Sequence, residues 1–175
     1  MDVKHDPLVN ASKEAVNYII KNIGVGTTIS EIGEWSEEIV GSYETEINGT
    51  IVPIKPINNL CGHSIKPWTI HAGKFIQPIR NNDQTKIEED DILAIEIFTS
   101  TGAGTTILDN KSSHYMLKSN YTENPKLIFN NSRKLLNIIE KKFKTSLLFL
   151  EFTCWFVTMV QRIYNSFLAK LYVRT

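Results

Sequence analysis

The run Ile92 to Phe98, ILAIEIF, constrains the fold more than any other part of the sequence. Its branched and aromatic side chains read as a β-strand buried on both faces, and Glu88 to Asp91 before it read as a solvated acidic turn. Inside the strand sits Glu96. An ionised carboxylate in such a place carries a large desolvation penalty unless something compensates it. Three compensations are open: a metal ion, a buried Arg or Lys, or a strand face turned to water. Ile92, Ala94 and Phe98 share the face of Glu96 and argue against the last.

The flanking segments supply helices and turns. Asp6-Pro7 reads as N-cap and first helical position, and Leu8, Ala11, Ala15, Ile19 and Ile23 follow at helical steps, which predicts a helix ending near Gly24. Thr28-Ile29-Ser30-Glu31 has the spacing of a capping box. It should open a second helix with Ile32, Trp35 and Ile39 on one apolar face, ending at Gly41. Tyr43–Ile47 and Thr50–Ile54 flank Asn48-Gly49, a pair suited to the positive φ angles of a two-residue hairpin. Thr101-Gly102-Ala103-Gly104 permits a turn after which Thr105 to Leu108 should return beside the strand of Glu96. Leu135, Leu136, Ile139 and Phe143 form the apolar stripe of a basic helix starting near Ser132.

Three of the four histidines lie in short runs with small or aromatic neighbours, CGHSI (His63), TIHAGK (His71) and SSHYM (His114). Gly62 and Gly73 remove bulk beside the first two, which suits a close ligand and equally a plain turn. Imidazole is a good ligand for borderline divalent metals, and a carboxylate can bridge two of them. The gap between His63 and His71 is not itself a metal signature. Cys61 beside His63 reads as a packing residue before it reads as a nucleophile. The dinucleotide fingerprint, the phosphate loop and the Gly-x-Ser-x-Gly elbow are absent.

Charge excludes less than it suggests. The 19 basic and 19 acidic residues cancel, so no global field favours DNA, RNA or an anionic membrane. Residues 121–175 nevertheless carry a net charge of +6. The basic helix there reads as a solvated face, with an RNA or ribosomal contact as the alternative. Leu147 to Val160 is apolar but shorter than the roughly 20 residues of a spanning helix, and it carries Glu151. No signal-peptide core occurs near Met1, and the 2 cysteines are far apart, so a reducing, cytoplasmic location is the expectation.

Taken in order, KPINNLCGHSIKPWTIHAGKFIQPI, EEDDILAIEIFTSTGAG and SSHYM resemble the type 2 methionine aminopeptidases, within the metallopeptidases of pita-bread fold. The likeness runs from about Asp6 to Thr145. It implies an α/β chain with a partial pita-bread fold, a curved antiparallel sheet over helices, followed by a helical segment. It divides the chain into a partial catalytic domain at 1–110, the start of a helical insertion at 111–145 and a divergent apolar tail at 146–175. By resemblance His63 and Glu96 are metal ligands, His71 is a catalytic residue that binds substrate near the scissile bond, and His114, Ile70 and Leu60 line the pocket for the methionine side chain. The implied cofactors are divalent metal ions (cobalt, manganese, iron or zinc), two per complete site. The implied partners are nascent polypeptide N-termini and the ribosome, with no DNA and no membrane.

The family's metal centre also uses two Asp and a second Glu, and this chain lacks counterparts of them. The Asp pair and another substrate-side His belong upstream of Met1 and the last Glu beyond a helical insertion, so the chain is expected to be an incomplete central portion, with a premature or frame-shifted end. Glu151, in FLEFT, has no following His and takes no role. Cys61 stands where the family has Asn. The implied activity is removal of initiator methionine. The alternative is a non-catalytic module of the same fold that contacts ribosomal RNA or protein.

Overall fold

Two helices open the chain in the computed structural model, which describes residues 5–108, 114–117, 127–145, 148–149 and 172–174. In α1 (Asp6–Asn22) the residues facing inward are Ala11, Ala15 and Ile19, one every four positions, so a single stripe meets the core. His5 rather than Asp6 is the N-cap, and it makes no side-chain capping bond. Asp6 lies inside the first turn, where its charge meets the positive end of the helix dipole. The helix ends at Ile23, which turns extended.

α2 (Ile29–Gly41) starts as its capping box requires. The Thr28 hydroxyl accepts from the Glu31 amide at 3.2 Å and the Glu31 carboxylate accepts from the Thr28 amide at 2.7 Å. Two further free amides of the first turn, those of Ile29 and Ser30, donate to the carbonyls of Thr85 and Asp83. The segment 81–87 thus completes the cap from a distance. The buried stripe of α2 is Ile29, Ile32, Gly33, Ser36 and Val40, and Trp35 and Ile39 pack half-buried against the core beside it. Small residues occupy the centre because another backbone runs against it: a Cβ on Gly33 would stand 2.2 Å from the Ile79 carbonyl oxygen.

The chain splits into two compact units, Met1–Lys66 with His71–Ile107, and Pro67–Ile70 with Leu108–Thr175. In the first, β1 (Glu44–Ile47) and β2 (Thr50–Pro53) form the expected hairpin, with φ of 52° at Asn48 and 79° at Gly49. Next, β3 (Lys55–Pro56), β4 (Gly62–Ile65), β5 (Phe75–Ile76), β6 (Ile92–Ala94) and β7 (Thr99–Ser100) make two antiparallel ladders. One pairs β3 with β7; the other has the order β5-β4-β6. Helices α1 and α2 pack on these strands, α1 against β7 and α2 against β3 and β5. Ala11, Ala15, Ile19, Ile32, Val40, Ile54, Ile76, Ile87 and Ile97 fill the core between them.

The segment 92–98 departs from a single strand buried on both faces. Ile92 to Ala94 pair with β4, the pairing then stops, and the chain rejoins a ladder only near Phe98, whose carbonyl accepts from the Ile57 amide. Ile92 is 62% exposed and Phe98 40%, while Ile97 is buried. β6 is an edge strand among the described residues, with β4 on one side only, so its other edge is unpaired. Thr105 to Leu108 do not return beside this strand either. The Thr106 amide donates to the Asn59 side chain and the Asn58 amide to the Gly104 carbonyl, so the segment docks on the loop before β4. The acidic turn is only partly solvated, because the Asp91 carboxylate is largely buried and accepts from the Glu88 amide and from Lys74.

In the second unit β8 (His114–Leu117) pairs antiparallel with β9 (Leu148–Phe149) and with β10 (Tyr172–Arg174). α3 (Asn130–Lys142) begins two residues before Ser132, buries Ser132, Leu135, Leu136 and Ile139, and exposes Arg133, Lys134, Lys141 and Lys142. The Lys144 ammonium lies 3.9 Å from the centre of the Trp68 ring. Apart from Leu148–Phe149, the apolar stretch 147–160 and Glu151 lie outside the described residues. No described helix is long and apolar enough to cross a membrane.

Two substitutions in this region should move stability in opposite directions. Thr28→Ala removes the capping box and should lower unfolding free energy by about 1 kcal/mol. Ser36 is fully buried and its hydroxyl has no hydrogen-bond partner among the described residues, so Ser36→Ala should raise stability by up to about 1 kcal/mol. Urea titrations in which the midpoint shifts at constant slope would check both.

Candidate metal-donor site

The site is built where the two ladders part. His63 lies on β4, buried, directly opposite Ala94 of β6 and Phe75 of β5. Side chains alternate between faces along a strand, so His63, Phe75 and Ala94 share one face of the sheet. Glu96 follows two residues after β6, past the point at which pairing with β4 stops. Its Oε1 lies 3.5 Å from His63 Nε2. Gly62 lets the strands come this close, since a Cβ there would fall 2.4 Å from the Ala94 carbonyl oxygen and 3.2 Å from the Glu96 amide nitrogen.

Hydrogen bonding decides what the approach of His63 to Glu96 means. His63 Nδ1 lies 3.3 Å from the Ser64 carbonyl oxygen. A carbonyl only accepts, so that bond places the proton on Nδ1. Nε2 then faces a carboxylate, which also only accepts. The pair is satisfied either by a second proton on the ring or by a cation bound to both atoms. The charged neighbour of Glu96 among the described residues is thus a histidine rather than a Lys or Arg, and the carboxylate side chain is 39% exposed.

His71 completes the cluster on the open side. Its ring meets that of His63 edge-on, with centroids 4.3 Å apart, and its other aromatic neighbour is Phe75 at 6.4 Å. Partial burial and the adjacent His63 hold its pKa below the ordinary histidine value, with Glu96 pulling the other way. At neutral pH His71 is therefore an uncharged imidazole beside the pair, able to donate one hydrogen bond. The Cys61 thiol is pushed up by burial and by the Glu96 carboxylate, which keeps it protonated and agrees with packing rather than nucleophilic use.

Geometry agrees with a divalent ion for the donors present. Two ligands on one ion at roughly 2.1 Å and a tetrahedral angle stand roughly 3.4 Å apart, close to the 3.5 Å between Nε2 and Oε1. An Nδ1–H held by a backbone carbonyl is the usual way a ligating imidazole is oriented. Among the described residues no group of three or more His, Cys, Asp or Glu that could hold an ion is formed.

Leu60 is half-buried on the loop leading to β4. Ile70 and His114 belong to the second unit, Ile70 half-buried and His114 at the start of β8. An open groove of about 680 Å³ between α1 and the Ile97–Thr99 segment, with Leu8, Val9, Val16 and Phe98 in its walls, has no cluster of donors and belongs to a different part of the first unit.

Sequence reasoning passed over Lys74, Ser64 and Asp91, which hold the site's strands in place. The Lys74 ammonium donates to the Lys86 carbonyl at 3.0 Å, to Glu88 Oε2 at 3.0 Å and to Asp91 Oδ2 at 2.5 Å. The bond from Lys74 holds the Asp91 carboxyl below its ordinary pKa, and the bond to Asp91 raises that of Lys74. The one signal in the sequence was a lone Lys in HAGK and an acidic run that charge alone reads as solvated.

Comparison with known proteins gives these positions a context. The family model for metallopeptidase family M24 matches residues 2–118. A protein of Chaetomium globosum named methionine aminopeptidase 2-2 is 45% identical over 144 residues, which cover 81% of this chain and 32% of that protein. For methionine aminopeptidase 2 of Kluyveromyces lactis the identity is 42% over 144 residues, covering 82% of this chain and 34% of that protein. The chain thus spans about a third of the length of the curated relatives it matches. Among solved structures, a thermophilic Arx1 superposes with a TM-score of 0.60 at 16% identity, over 84% of this chain and 43% of that one. At that identity the likeness concerns the fold.

The balance of charges around His71 gives a signed prediction. In an NMR titration its ring should protonate below about 6.5. His63→Gln should move the midpoint up, and Glu96→Gln should move it further down. Because folding disfavours protonation of this group, the unfolded chain binds more protons, and its contribution to stability should fade as pH drops through the window below about 6.5. A midpoint at or above the free value would contradict the geometry.

Proposed function

Since the chain belongs to metallopeptidase family M24 and shares the α/β pita-bread fold of that family, we propose that it forms part of an aminopeptidase that removes N-terminal methionine from nascent polypeptides. The observation that carries this reading is the convergence of His63 Nε2 and Glu96 Oε1 at 3.5 Å, with His71 beside them. His63 and Glu96 are the metal donors this chain contributes to a site of two divalent ions, whether cobalt, manganese, iron or zinc. When bound, such ions supply Lewis-acid activation of a peptide carbonyl and of water.

The remaining work falls to side chains. Glu96, exposed on one side, would hold metal through its carboxylate together with His63. His71, neutral and at the open edge, donates a hydrogen bond to the scissile carbonyl as negative charge builds on its oxygen. Leu60, Ile70 and His114 are the methionine-pocket candidates. Residues 111–145 are read as the start of a helical insertion, and the working compartment is the cytoplasm.

A second reading has an observation in its favour. α3 exposes four basic side chains on its surface. A non-catalytic module that contacts ribosomal RNA or protein would need only those features.

Two measurements separate the readings. Titration of the chain with manganese or cobalt should give weak binding, on the order of 1 mM, about 4 kcal/mol, lost in His63→Ala and in Glu96→Gln. Methionine release from a Met-Ala-Ser peptide should stay at background for the chain alone. It should appear when residues 6–145 replace the matching third of the Kluyveromyces lactis relative, and fall by about 100-fold or more in His71→Ala. A folded, metal-loaded chimaera without turnover would favour the binding module.

A further inference from the structure

The sheet that carries the donor pair is tied together from behind. Ser64 of β4 bonds with Lys74, which precedes β5: the Ser64 amide donates to the Lys74 carbonyl at 2.9 Å and the Lys74 amide donates to the Ser64 hydroxyl at 3.1 Å. On its other side Ser64 stands opposite Leu93 of β6. Alternation along β4 puts Ser64 on the face opposite His63. From this rear face the Lys74 side chain reaches Asp91, the residue just before β6, and the carbonyl and carboxylate of Lys86 and Glu88. An ammonium has three protons, and all three have acceptors here.

We infer that Lys74 is a positioning residue for the donor pair: it straps the start of β6 to β5 across the back of β4 and so holds Glu96 opposite His63. The inference rests on the reading of His63 and Glu96 as metal donors for its functional meaning. The physical argument is one of register. Glu96 lies beyond the last paired residue of β6, Ala94, and no ladder bond fixes it directly. Its approach to His63 depends on where β6 is anchored. One anchor is the set of three pairs from His63↔Ala94 to Ile65↔Ile92. The other is the Lys74–Asp91 bond at the entrance to the strand, where Asp91 also accepts from the Glu88 amide at 2.8 Å and closes the turn. Without that anchor, the short β6 can slip or fray at its exposed edge, and Glu96 moves with it.

The test compares Lys74→Met and Lys74→Arg with Gly49→Ala, which weakens the fold at the positive φ of the β1–β2 turn, outside the strap. The first readout needs no metal: the nuclear Overhauser signal between the His63 ring and the Glu96 side chain. It should be present in the unaltered chain and in Gly49→Ala, abolished in Lys74→Met, and at least partly restored in Lys74→Arg. The second is the cobalt affinity, expected to fall about tenfold in Lys74→Met and to stay unchanged in Glu88→Gln, which removes only the exposed charge of Glu88 and leaves an amide oxygen to accept from Lys74. If Lys74→Met fails to fold, Asp91→Asn decides, since it keeps the shape of the side chain and removes its charge. A folded Lys74→Met or Asp91→Asn that retains both the Overhauser signal and the affinity overturns the strap. Disappearance of the signal in Lys74→Met, with cobalt binding indifferent to His63→Ala, would overturn the metal reading and leave the strap in place.

Discussion

Lys74 stands between two strands that do not pair with each other. β5 and β6 flank β4, and the chain between them runs away through residues 77–91 to cap α2 before it returns. A path of that length closes against an appreciable loss of chain entropy. One of the ties on the return is the half-buried Lys74 ammonium with its three acceptors. A charge sequestered in this way persists only when each of its protons is satisfied, so the geometry around Lys74 is specified rather than approximate. Everything on the front of the sheet inherits that specification, including the placement of Glu96.

The front face shows how a break in regular structure makes room for chemistry. Residues 92–100 serve two ladders, the first with β4 and the last with β3, and Glu96 occupies the gap. There its carboxylate is not consumed by a ladder neighbour and stays partly open to solvent. Gly62 admits the close passage of the Ala94 carbonyl, and the Ser64 carbonyl sets the tautomer of His63. These are backbone devices, and they prepare an imidazole and a carboxylate to face each other at the spacing of two ligands on one ion.

Local signals in the sequence carried the helices and the hairpin. Thr28 and Glu31 cap α2 through bonds within four residues, and Asn48-Gly49 adopts the positive φ angles for which those two residue types are suited. Propensity and short-range hydrogen bonding suffice at such places. The same rules left out two members of α2's inward face, Gly33 and Ser36, which lack the hydrophobic signature although both are buried, Gly33 against the Ile79 carbonyl. They also misjudged ILAIEIF, where an uninterrupted apolar run hides a change of pairing partner.

By itself the sequence determined that the charge of Glu96 needs compensation, because a carboxylate among branched apolar residues is costly unless a partner or water meets it. The three motifs around His63, Glu96 and His114 added the family. What stands beside the carboxylate emerged only in three dimensions, since a metal, a cationic side chain and open water leave the same mark on a strand's composition. The tertiary structure set His63 opposite the carboxylate and His71 against His63. It also turned the acidic run at 88–91 from a solvated turn into the anchor for Lys74. Charge read along the chain cannot show this, because the partner lies at the far end of another loop and the energy of the interaction depends on burial that only packing creates.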